Sequence, residues 1–172
     1  MATVGIVGLG LLGSAVASRL RAAGHDVVGY DVVPERVQAL VAIGGRAAPS
    51  AEAVARGSEA VCVVLPSLAS VEDVVLGPRG LTPSGRVDQT IIQMSTISPS
   101  LTERLAREVS VKGLAFLDCP ISGTSSMVAR GDGIIFVGGE RSAYERWRPV
   151  LESILPRAVF VGRPGQATAL KL

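Results

Sequence analysis

Short apolar runs alternate along the chain with stretches whose apolar positions recur at helical spacing. Thr3–Val7 is a β-rich run. Glycines follow, and then Leu12, Ala15, Val16 and Leu20 mark one face of a helix that Gly24 ends. Asp26–Tyr30 predicts a second strand, and Pro34–Val41 a second helix opened by its proline. Ser50–Arg56 reads as helix, Ala60–Leu65 as a buried strand stopped by Pro66, and Val71–Leu76 as helix. Gly77–Gly85 holds three glycines and two prolines and reads as loop. Thr90–Met94 and Leu114–Leu117 predict strands, with a helix between them from Ser98 or Ser100 to Glu108. Ile134–Val137 and Ala158–Val161 are further strands, flanking a helix over Ser142–Leu155 that is interrupted at Pro149. Gly165–Leu172 begins like one more helix. Strands apolar on both faces, alternating with helices, predict an α/β fold: a doubly wound, mostly parallel sheet with helices on both faces.

Composition narrows the picture. A chain of 172 residues, 48% hydrophobic and 19% charged, carries one sizeable core and is no disordered tail. Only six residues are aromatic, so the core is aliphatic. The net charge is +2 and no basic run stands out, which argues against nucleic acid or an anionic membrane as partner. Residues 2–18 are uncharged, but no basic residue precedes them and glycines 5, 8, 10 and 13 punctuate them, so neither a leader nor a membrane span is expected. Cys62 and Cys119 lack metal-ligand spacing; they read as reduced thiols of a cytoplasmic protein, with no metal. His25 sits in a Gly-His-Asp turn and is assigned no chemistry.

Gly8-Leu9-Gly10-Leu11-Leu12-Gly13 is a G-x-G-x-x-G motif between a predicted strand and a predicted helix. Gly8 permits the tight turn, Gly10 the approach of a pyrophosphate, and Gly13 close packing of helix on sheet. The helix N-terminus offers free N–H groups to phosphates. Asp31 ends the second strand, where a carboxylate accepts from an adenosine ribose hydroxyl and repels a 2′-phosphate. NAD is therefore expected over NADP, a preference softened by nearby Arg36. Strand, glycines, helix and acid in this order predict a Rossmann-type dinucleotide site.

Other segments are open on sequence grounds. Leu65-Pro66 and Ser95-Thr96 end predicted strands at the edge where such sheets bind ligands, yet Pro66 also serves as a strand stop and Ser95-Thr96 as a helix cap. Asp118-Cys119-Pro120-Ile121-Ser122-Gly123-Thr124 offers hydroxyls and an open backbone N–H to a small carboxylate, but its composition alone reads as a turn. Lys171 is one of two lysines against fifteen arginines. By spacing alone it is a solvated terminal lysine; buried, it would exchange protons near neutrality.

Taken together, four segments resemble the β-hydroxyacid dehydrogenases, the family that includes 3-hydroxyisobutyrate dehydrogenase and tartronate-semialdehyde reductase. They are GLGLLGSAVASRL at 8–20, DCPISGT at 118–124, GDGIIFVGG at 131–139, and the G-x-x-G-x-x-x-x-x-K run from Gly162 to Lys171. The resemblance spans essentially the whole chain. It implies that Lys171 is the proton donor and acceptor of an NAD-dependent hydride transfer on a small hydroxycarboxylate. It makes Ser122, Gly123 and Thr124 the substrate-binding segment. Gly8, Leu9, Gly10, Leu11, Leu12, Gly13, Asp31, Leu65, Pro66, Ser70 and Thr96 would hold the cofactor.

The sequence departs from the family at several points. Thr124 stands where a second glycine is usual, Ala167 replaces a glycine before the lysine, and Gln93 stands where Asp is frequent. The resemblance implies that residues 1–172 are the dinucleotide-binding domain and that the helical C-terminal domain of the family is absent. The chain is then a truncated part, able to bind cofactor and poorly active alone, whose full-length form is a homo-oligomer. A 6-phosphogluconate-type dehydrogenase is disfavoured by Asp31, an imine reductase by Lys171. A non-catalytic nucleotide-sensing module would leave Ser122, Gly123 and Lys171 without purpose.

Overall fold

A computed structural model describes residues 1–172. The strands are β1 (Thr3–Val7), β2 (Asp26–Tyr30), β3 (Arg46–Ala47), β4 (Ala60–Val63), β5 (Thr90–Gln93), β6 (Ala115–Asp118), β7 (Ile121–Ser122), β8 (Ile134–Gly139) and β9 (Ala158–Gly162). The helices are α1 (Leu11–Ala22), α2 (Pro34–Ala42), α3 (Ala51–Arg56), α4 (Leu68–Leu76), α5 (Leu81–Ser84), α6 (Pro99–Val111), α7 (Ser125–Ala129), α8 (Arg141–Ile154) and α9 (Gln166–Lys171).

The sheet runs β3-β2-β1-β4-β5-β6, all parallel, and then continues to β8. The strand order reverses between β1 and β4, which opens a crevice at their carboxyl ends. This is the doubly wound Rossmann-type architecture expected from the alternation. Period-two packing feeds two cores. Val4, Ile6, Ala60, Cys62, Ile92 and Leu117 face one side, under α1 and α8. Val7, Val61, Val63, Ile91 and Phe116 face the other, under α3 to α6.

The far edge departs from the parallel pattern. β8 is antiparallel to β6 and overlaps it only at Leu117↔Gly139 and Asp118↔Gly138. The rest of β8 projects past the carboxyl end of β6, where β7 pairs with it through Ile121↔Ile135 and Ser122↔Ile134. β9 lies parallel to β8 on its other side and ends beside Gly138. The chain therefore delivers its last helix to the same edge as the glycine loop.

Four short elements escape the sequence pattern. β3 has two exposed residues and so no alternation to read. α5 lies inside the Gly77–Gly85 stretch, held by fully buried Leu81. β7 and α7 lie where turn residues dominate. In contrast to the predicted interruption, α8 continues through Pro149. Tyr144, Trp147, Val150, Leu151 and Ile154 form one buried stripe while Pro149 faces solvent, so packing outweighs the lost backbone bond.

Candidate functional site

Gly8 adopts φ +98°, and a Cβ there would meet the Val64 carbonyl oxygen at 2.0 Å. A Cβ on Gly13 would meet the Gly8 carbonyl oxygen at 1.9 Å, so α1 rests directly on the loop. At Gly10 a Cβ would meet nothing closer than Arg36 Nη1 at 4.0 Å. The space above Gly10 is thus open. No side chain caps α1, and its first backbone bond runs from Ser14 N–H to the Gly10 carbonyl. The N–H groups of Leu11, Leu12 and Gly13 have no partner in the protein. Three free donors at a helix N-terminus beneath open space fit a dinucleotide pyrophosphate. The loop contributes backbone here, since the Leu9 side chain is buried, Leu12 packs on the core and Leu11 faces solvent.

Asp31 is tied to that loop. Its Oδ2 accepts the Leu9 N–H at 2.7 Å and its Oδ1 accepts the Val33 N–H at 2.8 Å. Arg36 Nη1 approaches Oδ1 at 3.4 Å from an exposed position.

Next along the edge, Ser95 joins two loops. Its Oγ accepts the Leu65 N–H at 2.8 Å and donates to the Val63 carbonyl at 3.2 Å. Gln93, fully buried, clamps Ser95 in turn: Oε1 accepts the Ser95 N–H at 2.6 Å, and Nε2 donates to the Ser95 carbonyl at 2.8 Å. An aspartate at position 93 has no donor for that second bond. Pro66 is exposed beside Leu65. The Ser70 hydroxyl serves α4 itself, in a reciprocal cap with Ser67.

The 118–124 segment divides into a buried and an exposed half. Asp118 is fully buried at the end of β6. Its Oδ2 accepts N–H groups of Gly165 (2.9 Å) and Thr168 (3.0 Å), and its Oδ1 accepts the Thr168 hydroxyl at 2.5 Å. Burial pushes its carboxyl above the ordinary aspartate value, against the pull of these donors. Ser122, Gly123 and Thr124 are exposed beyond the sheet edge, with Gly123 at φ +154°. Thr124 caps α7, its Oγ1 accepting the Met127 N–H at 3.3 Å. That gives the hydroxyl standing where the family has glycine a local role.

Lys171, on α9, is half-buried and donates from Nζ to Thr96 Oγ1 at 2.6 Å. Desolvation lowers its amine below the ordinary lysine value. The structure thus joins two residues that the sequence reading held apart, Lys171 as acid–base group and Thr96 as groove lining. The roles of Gln93, Thr102 and Thr168 escaped that reading, because buried polar side chains in apolar runs carry no periodic signal. The thiols are inert: burial pushes Cys62 up to about 12 and Cys119 well above its ordinary value. No cluster of three His, Cys, Asp or Glu side chains gathers to hold a metal, and no helix is long and apolar enough to cross a membrane.

Comparison with known proteins agrees with this fold. The family profile described as the NAD binding domain of 6-phosphogluconate dehydrogenase matches residues 3–162. The 3-hydroxyisobutyrate dehydrogenase of Pseudomonas aeruginosa is 34% identical over 172 residues, covering 100% of this chain and 58% of that protein. The solved Mycobacterium tuberculosis 3-hydroxyisobutyrate dehydrogenase with L-serine superimposes with a TM-score of 0.94 at 29% identity, over 99% of this chain and 58% of that one. Psf3 in complex with NADP+ and 2-OPP gives a TM-score of 0.94 at 31% identity, over 98% and 60% respectively. The chain spans less than two thirds of the length of each of these relatives.

Proposed function

The chain belongs to the family of the NAD-binding domain of 6-phosphogluconate dehydrogenase, and from that premise we propose that residues 1–172 are the cofactor-binding domain of an NAD-dependent β-hydroxyacid dehydrogenase. Its substrate class is a small hydroxycarboxylate or the corresponding semialdehyde or keto form. One observation carries this reading beyond nucleotide binding: a half-buried lysine amine, lowered by desolvation, sits at the sheet edge that bears the glycine loop.

A bound nicotinamide dinucleotide supplies the hydride acceptor or donor. The free N–H groups of Leu11, Leu12 and Gly13 would hold its pyrophosphate. Asp31 accepts from the ribose hydroxyls, and its charge favours NAD over NADP, which Arg36 leaves as the weaker partner. Leu65, Pro66 and Thr96 line the groove. Ser122 and the open Gly123 N–H orient the substrate carboxylate, with Thr124 fixing the start of α7 below them. In oxidation, neutral Lys171 Nζ would take the proton of the substrate hydroxyl. In reduction, charged Lys171 returns that proton to the developing alkoxide. A lowered amine value suits both directions, since a general acid–base works best near the operating pH.

On this reading residues 1–172 bind dinucleotide, and turnover also draws on the helical domain that forms the other wall of the family's cleft. The proposed enzyme acts as a cytoplasmic homo-oligomer. The test is titration of the chain with NADH and with NADPH, following nucleotide fluorescence. Tighter NADH binding is expected. A chain that shows a cooperative thermal transition yet binds neither nucleotide would overturn the proposal.

A further inference from the structure

The buried carboxylate of Asp118 sits between two parts of the proposed acid–base site without touching the amine. It accepts two N–H groups of the first turn of α9, from Gly165 and Thr168, and the Thr168 hydroxyl. Thr168 gives its one hydroxyl proton to Asp118, so Thr102 Oγ1, 3.3 Å away, bonds to Thr168 Oγ1 only by donating, in exchange for its 3.0 Å bond to the Ser98 carbonyl. Asp118, Thr168 and Thr102 thus link the end of β6, through α9, to α6, whose first turn follows the loop carrying Thr96. Thr168 and Lys171 are three residues apart on the helix and share a face. Gly165 itself stands at φ +91° as the N-cap, and no side chain of its own could cap α9.

We infer that Asp118 is a positioning residue for Lys171: it fixes the first turn of α9 and, through Thr168 and Thr102, holds that turn in register with the loop carrying Thr96. The inference rests on Lys171 being the acid–base group. Six residues make a helix too short to hold its own geometry. An external cap is what keeps the amine at its half-buried seat. A burial-matched apolar side chain at 118 would leave the Gly165 and Thr168 donors unpaired.

The chain has two lysines, so lysine labelled at Cε and Nζ gives two NMR signals, separated by Lys112→Arg. In the parent protein the Lys171 amine titrates below the ordinary lysine value. Asp118→Ala releases α9: the Lys171 titration rises toward the ordinary value, and amide exchange at Thr168 quickens about tenfold. A purely electrostatic role for the carboxylate predicts the opposite sign, since losing a negative charge disfavours the charged amine. Asp118→Asn keeps an acceptor for the two N–H groups and is expected to leave Lys171 near its parent value. Thr168→Val, which spares the carboxylate, moves Lys171 in the same direction as Asp118→Ala by a smaller amount, and Thr168→Ser restores it. An unchanged Lys171 titration and unchanged exchange in Thr168→Val, or a fall in Asp118→Ala, overturns the inference. A Lys171 signal at the ordinary value in the parent instead overturns the acid–base reading itself.

Discussion

Asp31 and Leu9 are joined by a 2.7 Å bond from the Leu9 N–H to the carboxylate, so the acid proposed to meet a ribose also holds the glycine loop in place. The proposed selectivity and the loop shape therefore share one side chain. Asp31→Ala is expected to weaken NADH about tenfold, the loss of a charge-assisted bond. NADPH is expected to weaken less, because Arg36 is freed from its partner. Paired titrations with the two nucleotides give the ratio; an unchanged ratio would mean that Asp31 does not discriminate.

The glycines of the motif answer to different forces. Gly10→Ala has room and an ordinary backbone conformation, so the thermal midpoint should hold within a few degrees. The added methyl would enter the open space proposed for the pyrophosphate, and NADH affinity should fall about tenfold or more. Gly8→Ala places a Cβ at 2.0 Å from the Val64 carbonyl oxygen with φ +98°, and should lower the midpoint by about ten degrees or prevent folding. Thermal melts alongside titration separate the two effects.

Lys171 carries a pH signature. Its charged form is penalised by burial, so the unfolded chain holds its proton to higher pH than the fold does. Stability from this group rises with pH between the lowered folded value and the ordinary one. In a longer form that turns over, oxidation should rise through the lowered value as the amine becomes neutral. Lys171→Ala should cost about 100- to 10,000-fold in turnover and leave nucleotide affinity nearly intact. Steady-state rates across pH, with a binding titration on the variant, check both.

His25 makes a second, local contribution. Its Nδ1 accepts the Ala2 N–H at 3.2 Å, and burial, then the N-terminal charge, lowers its value. As pH falls below the ordinary imidazole value, the unfolded chain takes up a proton before the fold does. The melting temperature should therefore decline over that window until the lowered folded value is reached. His25→Gln should flatten the decline; an identical pH profile would remove His25 from the account.

The parallel half of the sheet was legible because its signals are local. Thr3–Val7 and Asp26–Tyr30 are predicted and observed with the same ends. The glycine spacing determines the loop, and Ser98 caps α6 as one of the two starts considered. The far edge was not legible. β7 exists because β8 overshoots β6, and nothing in Ile121-Ser122 announces that. For Gln93, the sequence shows a substitution, while its work, two bonds to Ser95, depends on the fold of the loop. Lys171 read as a solvated lysine from spacing and as an acid–base group only through resemblance. What sets it apart physically is Thr96, 75 residues away.

The reversal of direction at β8 also orders events in time. The loop and acid proposed to meet a dinucleotide lie within residues 8–31, on one β-α-β unit. The seat of Lys171 needs Asp118 bonded across 50 residues and Thr96 across 75. Contacts so distant along the chain form late, after the entropy of closing long loops has been overcome. A partly assembled chain can thus present a nucleotide loop while its amine is still unplaced. The proposed acid–base amine takes its seat only with the last helix.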